Sequence, residues 1–252
     1  KSYTASGTTI TFSEAVASGD SCYLVYMGSA QQTVTAPAGS IVSSQFSSAD
    51  LVLPKTVTIG SAAEEDTKLV FDGNAQDYHV GLDDSEDKLT IGKGSALGTT
   101  THMSFDENGA ILKPLQPAFL ARPSSNQENI ATSTDVTLIH DNEVFDQGNN
   151  FASNTFTAPV TGRYQLNVQA YVNQMPIDPS YIEVTLVTSN RSYYGTTDPG
   201  AYDQDNTYYV FGFSVLADMD ASDTAYLRIR QQGGSQQLDY SSSSSFSGFL
   251  AC

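Results

Sequence analysis

The 252 residues are enough for one large or two modest domains. Only 15% of them are charged, against roughly 25% in an ordinary soluble domain; 31 Ser and 25 Thr fill the difference, Tyr and Phe are plentiful and Trp is absent. Eleven Lys and Arg against 28 Asp and Glu give a net charge of −17, which repels phosphate backbones and excludes nucleic-acid binding through a basic face. No apolar run approaches the ~20 residues needed to span a bilayer, so a soluble chain with no membrane insertion is expected. The chain starts at Lys1 without an initiator Met and reads as a fragment or processed product.

Cys22 and Cys252 are the only cysteines. They allow one disulfide at most, and make neither a disulfide framework nor a thiolate zinc site. Cys22, between Ser21 and Tyr23-Leu24-Val25-Tyr26, reads as a small buried thiol in a strand. In chain order, residues 8–12 alternate at period two and predict a strand, answered after Ser18-Gly19-Asp20 by an antiparallel partner over 22–27. Residues 40–51 predict a short helix with Ser40 as N-cap.

Residues 52–113 carry an irregular repeat. Lys68-Leu69-Val70-Phe71-Asp72-Gly73, Lys88-Leu89-Thr90-Ile91-Gly92 and Met103-Ser104-Phe105 echo one another, and Val57-Thr58-Ile59-Gly60 resembles the second of these. Each unit is one short strand and one tight turn with two or three apolar side chains. A single copy cannot bury enough surface to offset an ordering entropy of roughly 1–2 kcal/mol per residue. Stacked copies, or several chains around an axis, can. An elongated, oligomeric stalk is therefore expected.

A boundary follows. All six Lys lie in residues 1–113 and all five Arg after them, with 14 acids on each side. Pro114 and Pro117 cannot donate to a sheet ladder and mark a linker. Beyond them, strands are predicted over 136–140, 155–157, 163–172, 181–188, 208–216, 224–230 and 246–250, without a long helical period, as in an all-β sandwich or jelly roll. Tyr164, Leu166 and Val168 should point inward. Gly162 allows a close approach that a Cβ would block. Phe246 and Phe249 differ in parity, which calls for a bulge or a strand buried on both sides.

These residues resemble the globular head of complement component one-q, within the tumour-necrosis-factor-like jelly rolls. The resemblance runs through Pro117-Ala118-Phe119-Leu120-Ala121, Phe156 with Gly162, Tyr164 and Leu166, the Leu216–Arg228 turn and strand, and Phe246-Ser247-Gly248-Phe249-Leu250. It implies a ten-stranded-type jelly-roll head, a homotrimer about a hydrophobic axis, and both termini at one end. The first part of the chain is similar to bacteriophage tail-fibre and related virion fibre proteins, through residues 3–12, Ala17-Ser18-Gly19-Asp20, 39–42 and the shaft-like 80–92. The expected organisation is all-β: a small β module with a short helix over 1–51, a repetitive β stalk over 52–113 and a jelly-roll head over 114–252.

Candidate chemistry is sparse. The acidic groups Glu64-Glu65-Asp66, Asp83-Asp84, Glu86-Asp87, Asp218, Asp220 and Asp223 read as solvated turns, where Asp bonds its own backbone, rather than as a glycosidase pair. His79, His102 and His140 are isolated, and no nucleophile elbow, P-loop or dinucleotide fingerprint occurs. Asp198, Asp203 and Asp205 could offer oxygen ligands to calcium, which some heads of the resembled family carry near the trimer apex. Tyr193, Tyr194, Tyr202, Tyr208 and Tyr209 surround that loop. Tyr193, Tyr202, Asp203 and Asp205 are the expected ligand contacts, Tyr208 is expected to pack, and residues 241–245 are expected to form an exposed polar loop.

The expectation is a non-enzymatic trimeric fibre of a phage virion. Its partners are then other tail or fibre proteins and a host-surface glycan or protein. The alternative is a secreted, lectin-like or complement-like binding module of a cell; a glycan-cleaving fibre is a third reading.

Overall fold

The computed structural model of the chain describes residues 3–15, 17–21 and 55–252. The expected strand around Cys22 and the helix over 40–51 lie outside the described residues. The chain divides into two compact units, Lys1–Val57 and Thr58–Cys252. In the first, β1 (Tyr3–Ser6) and β2 (Thr9–Phe12) form an antiparallel hairpin in which Ser6 faces Thr9. The strand read at 8–12 thus pairs backwards along the chain, because Gly7, at φ +60°, makes a two-residue turn.

The second unit opens with an antiparallel meander of β3 (Thr67–Phe71), β4 (Tyr78–Asp83), β5 (Lys88–Lys93), β6 (Thr101–Phe105) and β7 (Ile111–Leu112). The repeated motifs are strands β3, β5 and β6. Residues 57–60, which resemble them in sequence, are not a strand. Asp83, expected in a solvated turn, is instead buried at the end of β4 and accepts a hydrogen bond from the Ser85 hydroxyl at 2.8 Å.

The head follows as β8 (Ala118–Arg122), β9 (Asp135–Thr137), β10 (Asn142–Gln147), β11 (Phe151–Ala152), β12 (Thr155–Thr157) and β13 (Gly162–Met175). It continues through β14 (Tyr181–Thr188), β15 (Ser192–Thr197), β16 (Asn206–Met219), β17 (Thr224–Gln232), β18 (Asp239–Tyr240) and β19 (Ser245–Leu250). One sheet runs β10-β8-β19-β13-β16 with β18 beside β13; the other runs β11-β12-β17-β14-β15 with β9 beside β17. Period-two alternation sends Tyr164, Leu166, Val168, Ala170 and Val172 of β13 into the core, opposite Ala225, Leu227 and Ile229 of β17 and Ile182, Val184 and Leu186 of β14.

Phe119 is the aromatic centre of this core. Its ring stacks on Phe156 at 4.7 Å and on Phe151 at 5.0 Å, and meets the edge of Phe246 at 5.0 Å. Such pairs add about 0.5–1.5 kcal/mol each beyond area burial. The stack needs Gly248, since a Cβ there would stand 2.9 Å from the Phe119 ring and 2.6 Å from Leu166. No bulge is present between Phe246 and Phe249: the register of β19 on β13 is unbroken, Phe246 is buried and Phe249 faces outward. The parity difference is resolved by using both faces of the sheet.

Both ends of the head leave from one side. The Leu250 amide donates to the Pro117 carbonyl at 3.0 Å and the Arg163 amide to the Cys252 carbonyl at 2.7 Å. A Cβ on Gly162 would lie 2.8 Å from that Cys252 oxygen, which is the close approach expected of this glycine. The serine run is not the free loop expected. Ser244 is fully buried and its hydroxyl accepts from the Tyr171 amide at 2.9 Å, while Ser241 is nearly so.

His140 sits inside the core against Tyr240. Its Nδ1 lies 3.2 Å from the Leu138 carbonyl, which can only accept, so Nδ1 carries the proton and Nε2 accepts from the Tyr240 hydroxyl at 2.9 Å. Burial holds this histidine down at about 4, from an ordinary 6.5, and pushes the Tyr240 hydroxyl up. Between those two values the unfolded chain binds a proton that the folded chain refuses. Stability from this site is complete above pH 6.5 and is lost as the pH falls toward 4. The loss is on the order of 3 kcal/mol. Thermal melts from pH 7.5 to pH 4 should show a fall steeper in the native chain than in His140→Phe by that amount; parallel curves would contradict it.

Candidate binding site

The strand directions place three loops at the end of the head opposite the termini: residues 176–180 after β13, 198–205 after β15 and 233–238 after β17. The middle loop carries the residues singled out in the sequence. Asp198 has extended backbone, and its Oδ1 accepts from the Gly200 amide at 3.0 Å. With buried Pro199 in first position this caps a single 3₁₀ turn, Pro199–Ala201, closed by the Tyr202 amide on the Pro199 carbonyl at 3.1 Å.

Carboxylates stitch the loops together. Asp205 Oδ1 accepts from the Ile177 amide at 3.0 Å, which joins the second loop to the first. Asp178 Oδ2 accepts from the Ser235 amide at 2.7 Å, which joins the first to the third; the bonds from Ser235 hold the Asp178 carboxyl below its ordinary value. These acids fix backbone. Among the described residues no three His, Cys, Asp or Glu side chains come together as a metal ion would need. Asp203 is exposed on the same loop.

Tyr202 is 37% exposed and stands edge-on to Tyr209, with ring centres 6.0 Å apart. Tyr209 packs in turn on the buried Phe211 at 4.8 Å. This series runs from core to surface and presents one face of an anchored ring, the kind of flat amphipathic area suited to a sugar or a protein. A hydrogen bond from Thr197 lowers the Tyr209 hydroxyl while burial and the Tyr202 hydroxyl raise it, and the net direction is up. Residues 192–227 contain no Lys or Arg, so this strand–loop–strand stretch disfavours anions.

The structure brings Tyr202, Asp203 and Asp205 onto one loop and leaves Tyr193 elsewhere. Tyr193 lies in β15, half-buried against the core, roughly 13 Å back along the strand from Thr197. Its neighbour Tyr194, on the other face, is the exposed one. Tyr208, expected to pack in the sandwich or in a subunit seam, is not in the sandwich. Tyr209 points inward, while Tyr208 is 64% exposed and lies beside Tyr171 on the outer face of its sheet, 5.7 Å between ring centres. Two features had no local sequence signal. Phe145, Val210, Leu216 and Phe249 make an exposed apolar set on that same outer face. An open recess of about 630 Å³ beside Pro117 and Cys252 is lined by Leu115, Pro159, Val160 and Leu250, together with His102 and Lys113. Both arise from residues far apart in the chain.

Residues 118–251 match the C1q domain family, from the start of β8 to just past β19. The globular domain of zebrafish complement 1qA protein is similar, at 14% identity, over 54% of this chain and 98% of its own, with a TM-score of 0.40. Murine APRIL crystallised at pH 8.0 is similar over the same shares at 13% identity, also with a TM-score of 0.40. No curated protein matches the chain.

The capped turn is what holds Tyr202 in place. Asp198→Ala removes the acceptor for the Gly200 amide and should cost about 1 kcal/mol. Amide exchange at Gly200, Ala201 and Tyr202 should quicken about fivefold or more, with the β13 and β16 amides unchanged. Unchanged exchange across the turn would show that the cap does not order it.

Proposed function

The chain belongs to the C1q domain family, and from that premise we propose that it is a non-enzymatic binding module that works as a homotrimer. Its contact surface for a cell-surface glycan or protein is the 198–205 loop with its two neighbours. The observation that carries the reading is the division of the head: the chain enters and leaves at one end, and the carboxylate-stitched loops with the anchored Tyr202 ring occupy the other. A head tethered at its termini presents that end outward. Self-association is supported by the outer face of the β10-β8-β19-β13-β16 sheet, where Phe145, Tyr208, Leu216 and Phe249 are 45–64% exposed in the single chain. Three weak sites on one axis gain avidity without new contacts.

A finer reading is that the module ends an external fibre of a phage virion, with other tail or fibre proteins upstream and a host surface ahead. The repeated strand-and-turn segments before the head support it. A secreted, lectin-like or complement-like module of a cell is the reading that the C1q domain match itself favours, although it does not call for those segments.

Binding of the full chain to arrayed neutral oligosaccharides and to intact bacterial and animal cells tests the proposal. Tyr202→Ala should weaken whichever contact is found by about tenfold, the share expected of one aromatic anchor. A contact untouched by Tyr202→Ala and Asp203→Ala would move the site off this loop. Sedimentation as a monomer at micromolar concentration would remove the trimer.

A further inference from the structure

Outside the head, the β3–β7 sheet has its faces in an unusual order. In register, His79, Gly81 and Asp83 of β4 stand beside Gly92, Thr90 and Lys88 of β5, and Thr90 stands beside Ser104 of β6. This polar or side-chain-free face is the covered one, with His79, Asp83, Thr90 and Ser104 at most 5% exposed. The chain folds its own 94–100 segment over it. Leu97 reaches to 3.0 Å from where a Cβ on Gly81 would stand, the Thr100 carbonyl lies over Gly92, and His79 Nδ1 bonds the Gly94 carbonyl at 2.8 Å.

The opposite face is apolar and bare but for Thr67 and Lys93, each at a strand end. Leu69, Phe71, Tyr78, Leu89, Ile91 and Ile111 lie on it, all 36–61% exposed. Together they leave on the order of 600 Å² of apolar surface, at the upper limit of what an ordinary monomer shows in one patch. At its centre the covered face supplies Thr, Ser, His and Gly, and its apolar members Val70 and Leu112 sit on the outer strands and are themselves 41% and 46% exposed, so it contributes little hydrophobic stabilisation. The side chains able to hold this sheet are the ones facing water.

We propose that this face packs against the same face of other copies of the chain. The occupant follows from area and charge. Three such faces turned toward one axis bury on the order of 1,800 Å², within the range of a stable specific interface. In register the strands put no Asp or Glu on the bare face, although the chain carries 28. The −17 charge that keeps copies apart elsewhere is therefore missing there. The contact is separate from the one proposed for the head and does not depend on it.

The test uses the full chain with Cys22→Ser and Cys252→Ser. Ile91→Cys places a thiol near the middle of the bare face, and Asp87→Cys places a control in the β4–β5 turn. Under mild oxidation Ile91→Cys should form covalent dimers about a hundredfold faster than the control, because copies held together meet at millimolar effective concentration. Leu89→Glu should speed amide exchange in β4–β6 while leaving β13 and β16 protected. A chain that sediments as an oligomer yet gives no Ile91 cross-link overturns this contact and spares the head's. A chain that sediments as a monomer overturns both. A photo-reactive label at Ile91→Cys that attaches to residues 22–54 of its own chain also overturns it.

Discussion

The head depends on one close contact between its two sheets. Phe119 of β8 can lie flat on Phe156 and Phe151, which belong to the facing sheet, only because Gly248 in the adjacent β19 has no side chain to push it away. That places β8 and β19 side by side at the middle of their sheet, and β19 then sets the register of the long β13 strand beside it. From β13 the alternation propagates outward, to β16 on one side and across the core to β14 and β17. A larger residue at position 248 would displace the centre of the sandwich, whereas changes at its loop ends would leave this arrangement standing. Burial of a phenylalanine contributes roughly 1.5–3 kcal/mol, so Phe119 and the three rings around it hold much of what keeps the sheets together.

How far this was legible in the sequence varies by element, for physical reasons. The long strands were: Tyr164, Leu166 and Val168 alternate cleanly, and each meets enough of the core for the pattern to be enforced. Gly162 was legible as well, because a glycine at a strand start has few uses other than to admit a close neighbour. Short elements such as β10, β15 and β18 were not read from the sequence, since a few Asn, Glu, Ser or Thr residues beside a sheet edge carry no period; partner strands make them. The phase of β16 was also hidden. Tyr208 and Tyr209 are chemically identical, and only the register against β13 decides which one turns inward. Ser244 was misjudged for a similar reason, because its burial depends on the Tyr171 backbone, 73 residues away.

The candidate site was legible as a composition and not as a constellation. Asp and Tyr density marked the 198–205 loop, and Tyr202, Asp203 and Asp205 do share it. Two of the three carboxylates considered as cation ligands are occupied with backbone amides, the commonest use of Asp in turns. Tyr193 looked equivalent to Tyr202 in a string of letters, yet four residues of extended chain separate it from the turn. The stitching through Asp178 could not be seen at all, because its partner Ser235 comes two hairpins later.

The antiparallel β13–β16 ladder spans the head from the end that holds Pro117 and Cys252 to the end that holds the loops. Its hydrogen bonds lie across the strands, perpendicular to that axis. A load applied at the far end of a molecule anchored at the near one therefore runs along the strands and is shared by every bond of the ladder at once. The same bonds pulled from the side would open one after another, like a zip. A grip on a moving surface would thus be resisted in the direction in which this architecture is mechanically strongest.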